Sequence, residues 1–227
     1  KGMQEIIRNR LTSVQRMEIT NDQIGRNNVA SKVLSMDIER IKHTMEELDT
    51  QQFDLAVQKI IHSRRIYIIG VRSSATLAGF LNYNLRMVFN NVRLIETTSG
   101  SELFEQIMDI GAGDVMIAIS FPRYSKRVIN AVTFAKGAGA RVVALTDTAE
   151  APIAADADHV LVAQSDMASF ADSMVAPMSI INALLVAISR AKEADVNDRL
   201  HRLEEIWDHY DVYDKSPEST AEGDIKV

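Results

Sequence analysis

Residues 66–74, IYIIGVRSS, and residues 115–126, VMIAISFPRYSK, decide the fold. Each opens as a short, uncharged, β-branched run and passes through a hydroxyl-bearing turn into a helical pattern. Val92–Ile95, Val142–Leu145 and Val160–Val162 repeat the apolar run. Runs of this kind suit strands buried on both faces. Between them, Ser74–Phe89, Ser101–Ile110, Lys126–Lys136 and a short stretch near Ala151–Ala155 have helical spacing. Strand–helix alternation of this length implies right-handed crossovers and a parallel sheet covered on both sides. The expected fold is α/β: a three-layer α-β-α sandwich with a five-stranded parallel sheet, preceded by a helical linker. Gly111 and Gly113, and again Gly137 and Gly139, stand where a helix must stop before the next strand.

The chain divides by composition. Residues 1–63 contain no Pro and two Gly, whereas 64–165 hold seven of the ten Gly. Met3, Ile6, Ile7, Leu11, Val14 and Met17 recur at helical spacing, and a polar break is expected over Thr20–Asn28. Leu34, Ile38, Ile41, Met45 and Leu48 then alternate by four and three, a short heptad seam. That seam reads either as a helix packed on its own domain or as a dimer contact or signalling linker. A third helix is expected over Asp54–His62. Near the C-terminus Met174, Met178, Ile181, Leu185 and Ile188 mark a helix with almost no polar face, which must be buried on several sides. Pro177 fits its first turn, and a last helix carries Leu200, Leu203, Ile206 and Trp207. The expected domains are a helical linker over 1–50, a ligand-binding domain over 51–212 and a disordered polar tail over 213–227.

Composition excludes several classes. The 227 residues include no Cys, so disulfide scaffolds, thiolate metal sites and Cys nucleophiles are out. Twenty-five Lys and Arg against 31 Asp and Glu give a net charge of -6, which does not suit general nucleic-acid binding. No apolar run approaches the ~20 residues of a membrane span. KGMQEIIRNR lacks a signal-peptide core, so a cytoplasmic protein without membrane contact is expected. The five His show no metal-ligand spacing, and no cofactor is expected. Lys126, Arg127 and Arg141 read as solvated.

In an open parallel sheet the ligand crevice lies at the carboxyl ends of the strands. Gly70-Val71-Arg72-Ser73-Ser74 follows the first strand, and Ser120-Phe121-Pro122-Arg123-Tyr124-Ser125 follows the third. Both turns feed helix N-termini, where free N–H groups and the helix dipole attract anions. Ser at a helix start also serves as a plain cap. Neither a Walker loop nor G-x-G-x-x-G is present.

The runs IYIIGVRSSATLAGFLNYNLRMVFNNVRLIE, GDVMIAISFPRYSKRVINAVTFAKGAGARVVALTD and ADHVLV resemble a sugar isomerase (SIS) domain. More narrowly, they resemble the C-terminal effector domain of RpiR/MurR-type bacterial transcriptional regulators, over about residues 40–212. The resemblance implies a phosphosugar held by the two Ser turns and a homodimer or tetramer. It also implies DNA contact only through an N-terminal helix-turn-helix domain, of which KGMQEIIRNRL looks like the closing helix. Ser73 and Ser74 match the first phosphate turn, Ser120 the Ser ending the third strand, and Ser125 the hydroxyl opening the next helix. Thr98 and Ser99 stand where the family contacts the sugar ring; Ser99 with Glu102 also reads as a capping box. The usual second turn is close to S-x-S-G-x-[TS], but Phe121, Pro122 and Arg123 occupy its centre. Arg72 stands where Gly or Ala is more usual. Two guanidinium groups suit a more anionic effector, a phosphorylated sugar acid or a bisphosphate, unless they point to solvent or local carboxylates.

The alternative is an aldose–ketose isomerase, which needs a base over the sugar C1–C2 bond. Asp166 and Asp172 are candidates, as are Glu204, Glu205 and His209 from a partner subunit. None sits in a catalytic motif, so no catalytic residue is assigned and a sensor is expected.

Overall fold

A computed structural model of the chain describes residues 12–25, 27–96, 99–166 and 171–213. Five strands, β1 (Ile66–Gly70), β2 (Val92–Ile95), β3 (Val115–Ile119), β4 (Arg141–Thr146) and β5 (His159–Val162), form one sheet in the order β2-β1-β3-β4-β5. Every pairing is parallel. The central strands β1 and β3 are buried along their whole length, as uncharged β-branched runs require. The chain leaves β1 towards β2 and returns to lay β3 on the other side. The β1/β3 boundary is therefore the switch point where such sheets open a crevice.

Helices cover both faces, so the three-layer α/β sandwich is observed. On one face α3 (Thr50–Ile61), α4 (Ser73–Leu85) and α7 (Val175–Ala191) pack over Ile66, Ile68, Ile117 and Val143. On the other, α5 (Gly100–Ile107) and α6 (Lys126–Gly137) pack over Tyr67, Ile69, Met116 and Val142. Period-two alternation within each strand sends successive residues to opposite cores. The lower edge is tied by Arg64, which donates two hydrogen bonds to the buried Asp114 carboxylate at 2.9 and 2.8 Å. Gly111 N–H adds a third at 3.0 Å. Burial works against the Asp114 charge, yet these donors hold its pKa below the usual carboxylate value.

Several expectations are corrected. Helix α1 (Ser13–Ile24) runs through Thr20–Asp22, where a break was expected. It starts at a capping box between Thr12 and Gln15 and stops at Gly25, whose φ is +66°. The next helix begins at Val29, so of the expected break only Gly25, Asn27 and Asn28 are described as lying outside a helix. Helix α3 starts at Thr50, capped by Asp49, rather than at Asp54. The stretch near Ala151–Ala155 forms successive turns, Ala154 N–H to Ala151 O and Ala157 N–H to Ala154 O, and no helix. Pro152 at its start and the polar Asp156 and Asp158 at its end leave too short a span for one. Residues 1–11 and 214–227, with the expected closing helix and tail, lie outside the described residues. The last helix is α8 (Glu193–His209).

Helix α2 (Val29–Glu47) carries the heptad seam, and it is docked by its other face. Leu34 is 64% exposed, Ile38 62%, Ile41 37% and Met45 67%, whereas Arg40 is 6% and Thr44 4% exposed. Polar side chains on that inward face reach the β5–α7 connection. Ser173 Oγ donates to Asp37 at 2.7 Å, and Gln164 N–H donates to Thr44 Oγ1 at 2.9 Å.

Candidate functional site

The cleft begins with a close approach at the end of β1. A Cβ added to Gly70 would lie 2.4 Å from the Ser74 carbonyl oxygen, so only glycine lets the first turn of α4 fold back over the strand. Arg72 precedes that turn with φ +58° and ψ -127°, a backbone state usually left to glycine, and its side chain makes no capping bond. With no side-chain cap, the first N–H groups of α4, at Ser73 and Ser74, are left outside the helix's own ladder, and both residues line the crevice.

The β3 turn mirrors this arrangement. Ser120 N–H donates to Leu145 O at 3.1 Å, which fixes the strand end. Phe121 and Pro122 then turn inward; Phe121 joins the core beneath the cleft. Arg123 reverses the chain with φ +68°. This left-handed state explains why a Gly is usual at that position of the motif. Tyr124 donates to Asp147 at 2.8 Å, pinning the turn to the end of β4. Ser125 caps α6 by accepting from Arg127 N–H at 3.3 Å.

One cleft of about 260 Å³ is lined by Arg72, Ser73, Ser74, Ser120, Phe121, Pro122, Arg123, Ser125 and Asp172. The six residues singled out from the two turns therefore meet in one place. Ser74 and Ser120 are each 4% exposed. Among the described residues, no hydrogen bond engages the hydroxyl of Ser73, Ser74 or Ser120. An adjoining lobe of about 580 Å³ shares Arg72 and Ser125 and reaches β2, α5 and α6 through Ile95, Glu96, Glu102 and Arg127. Together they have the size of small-ligand sites.

Ser99 caps α5, accepting from Glu102 N–H at 3.3 Å. Thr98 lies outside the described residues. Glu96 was not singled out in the sequence, Glu102 was read only as the capping-box partner of Ser99, and Arg127 was set aside as solvated. The signal for all three was position: Glu96 directly follows β2, while Glu102 and Arg127 lie in the first turns of the helices after β2 and β3. Gln106 clamps the backbone of Glu96, donating to its carbonyl at 2.6 Å and accepting its N–H at 3.2 Å. Arg141, also read as solvated, pairs with Asp158 at 2.8 Å. Of the candidate bases, Asp172 lines the smaller cleft. Asp166 lines a different one, along α2. Glu204, Glu205 and His209 sit on α8 and line neither lobe. No group of acidic or His side chains able to hold a metal ion occurs among the described residues. Among them, no single helix is long and apolar enough to cross a membrane.

The fold is an α/β domain built on a parallel sheet, with a hydroxyl- and guanidinium-lined cleft at its switch point as the candidate ligand site. The SIS domain family matches residues 59–187, and the chain belongs to that family. It is 25% identical over 185 residues to an uncharacterised HTH-type transcriptional regulator of Caldanaerobacter subterraneus, covering 78% of this chain and 64% of the relative. The sugar isomerase domain of an RpiR transcription factor from Sphaerobacter thermophilus superposes with a TM-score of 0.75 at 27% identity, over 79% of this chain and 99% of that one. The Vibrio vulnificus NanR protein, solved with ManNAc-6P, shares the fold with a TM-score of 0.69 at 18% identity, over 84% of this chain and 72% of that one. The chain spans less than two thirds of the length of the curated regulators it matches.

Proposed function

We propose that this chain is the effector-sensing part of a transcriptional regulator, and that it binds a phosphorylated sugar or sugar acid without turning it over. The carrying observation is that Ser74 and Ser120, on the two turns after β1 and β3, line one cleft at the N-terminus of α4 with their hydroxyls open to it. A phosphate there would accept from Ser73, Ser74 and Ser120, from the first N–H groups of α4 and from Arg72 and Arg123. Each charge-assisted bond contributes about 1.5–3 kcal/mol. Four or five such bonds suffice for micromolar affinity after association costs. The adjoining lobe receives the sugar, with Glu96 and Glu102 as acceptors for its hydroxyls.

The regulator relatives and the sugar-phosphate complex of a protein with the same fold support this reading. In it, residues 51–212 form the sensing domain, 1–50 the linker and 213–227 a tail. The assembly is a homodimer or tetramer, and DNA is contacted by a helix-turn-helix domain outside these residues. Ligand shifts the population of subunit arrangements by binding one better than the other.

The test is a thermal-shift screen with sugar phosphates, phosphorylated sugar acids, sugar bisphosphates and inorganic phosphate. At a hundredfold excess over Kd a true ligand adds about 2.7 kcal/mol of apparent stability. A Ser74→Ala, Ser120→Ala double variant should lose that shift. If no phosphorylated compound protects the chain, the sensor reading fails. If aldose and ketose phosphates interconvert on incubation, the isomerase replaces it.

A further inference from the structure

Four non-glycine residues have positive φ among those described, and two of them, Arg72 and Arg123, line the smaller cleft. A side chain makes this backbone state costly, so it persists only where the surroundings impose it. At Arg123 those surroundings can be named. Phe121 and Pro122, just before it, are buried. Tyr124, just after it, donates its hydroxyl to Asp147 Oδ1 at 2.8 Å. Arg123 itself is exposed. The turn is thus fixed on both sides of the residue that carries the charge.

The tie on the far side reaches the sheet. Asp147 directly follows β4, and its Oδ1 also accepts from the Thr146 hydroxyl at 3.2 Å. Thr146 is fully buried, and its carbonyl accepts from Ala163 N–H, just past β5, at 2.8 Å. Leu145 O accepts from Ser120 N–H on the other side. The carboxyl ends of β3, β4 and β5 therefore form one frame, and Tyr124 joins the second half of the β3 turn to it. A guanidinium contributes most to anion binding when it is placed before the ligand arrives, because less ordering then opposes association.

We propose that Tyr124 is a positioning residue for ligand recognition: through Asp147 it holds the β3 turn so that Arg123 meets the ligand's phosphate. Tyr124 lines neither lobe, so it acts through Arg123 rather than on the ligand. The inference rests on the cleft being the phosphate site proposed above.

Thermal-shift titration of the full chain with inorganic phosphate, at constant ionic strength, tests it. The dependence of Tm on phosphate gives an apparent Kd, separately from the Tm without phosphate. Arg123→Ala should weaken phosphate binding about tenfold, the equivalent of one charge-assisted bond. Tyr124→Phe removes only the hydroxyl and should weaken it about three- to tenfold. Added to Arg123→Ala, it should weaken binding less than about twofold further, because the group it positions is already gone. A tyrosine that merely supported the fold would weaken both chains alike. Asp147→Ala should match Tyr124→Phe, and Asp147→Asn, which keeps an acceptor oxygen, should recover most of the loss. If phosphate does not protect the unsubstituted chain, the sensor reading fails and this inference with it. If phosphate protects that chain but Tyr124→Phe binds it undiminished, or loses as much in the Arg123→Ala background, this inference alone is overturned.

Discussion

Arg72 occupies a backbone state that arginine disfavours, at a helix end where its charge also opposes the dipole, which makes replacing it a two-sided test. Its φ of +58° and ψ of -127° cost about 1–3 kcal/mol for a residue with a side chain. The positive end of α4 adds about 0.3–1 kcal/mol against a cation there. Arg72→Ala removes the charge and keeps the strain, whereas Arg72→Gly removes both. Glycine gives back about 0.5–1 kcal/mol in unfolded-state entropy. On balance the Gly variant should exceed the Ala variant by about 1 kcal/mol, or roughly 2–4 °C in Tm for a chain of this length. Elsewhere glycine is usually the less stable of the two, so the sign alone is informative. The assay is calorimetry of unsubstituted, Ala and Gly chains, each with and without the best ligand from the screen. Both variants should lose at least about tenfold in affinity, the equivalent of one charge-assisted bond. A Gly variant no more stable than the Ala variant refutes the strain argument. Undiminished ligand protection in both refutes the view that Arg72 is kept for an anion.

Two further expectations concern stability. Gly70→Ala drives a methyl group into the Ser74 carbonyl, so α4 must shift; a loss of about 1–3 kcal/mol in denaturant unfolding should accompany lost ligand protection. Asp158 accepts from Lys136 at 2.7 Å, Arg141 at 2.8 Å and Val142 N–H at 2.9 Å. Burial opposes its charge, but these donors prevail and bring its pKa from 3.8 to about 2. Its folded pKa is depressed, so its stabilisation is present above pH ~4 and disappears as pH falls through ~2. Lys136 and Arg141 are partly exposed, which reduces the effect to about 1–2 kcal/mol. Asp158→Asn should therefore cost that much at pH 7 by urea unfolding and nothing below pH 2; an equal loss at both ends would contradict the linkage.

The strands and both Ser turns were legible because an uncharged β-branched run has one physical use, and because ligand crevices follow strand ends. The strain at Arg72 and Arg123 was half legible. The sequence placed Arg where small residues are usual, but only the backbone angles give the reason. Glu96, Glu102 and Arg127 were not legible as cleft residues: exposed charges carry no periodic signal, and only the juxtaposition of β2, α5 and α6 brings them to one lobe. The seam of α2 is the sharpest case. Its spacing announced an apolar face, yet periodicity cannot say which face is docked. The answer depended on hydrogen bonds that Asp37 and Thr44 accept from a segment more than a hundred residues away.

Those bonds also carry the last prediction. The β5–α7 connection contributes Asp172 to the cleft, and the next residue, Ser173, donates to Asp37 of α2 at 2.7 Å. Asp37 in turn holds the buried Arg40 at 2.8 Å. A ligand that orders this connection therefore stiffens the inward face of α2, whose outward face is the seam. Coupling of this kind needs a differential contact, and Ser173–Asp37 is the one that spans the two regions. Hydrogen exchange should show ligand slowing the amides of α2. Ser173→Ala should reduce that protection while changing ligand affinity less than about twofold, because Ser173 does not line the cleft. It should cost about 1 kcal/mol of stability, as for one hydrogen bond. Undiminished protection of α2 in the variant would refute this route. Lost affinity with intact protection would mean that Ser173 acts on the cleft rather than through α2.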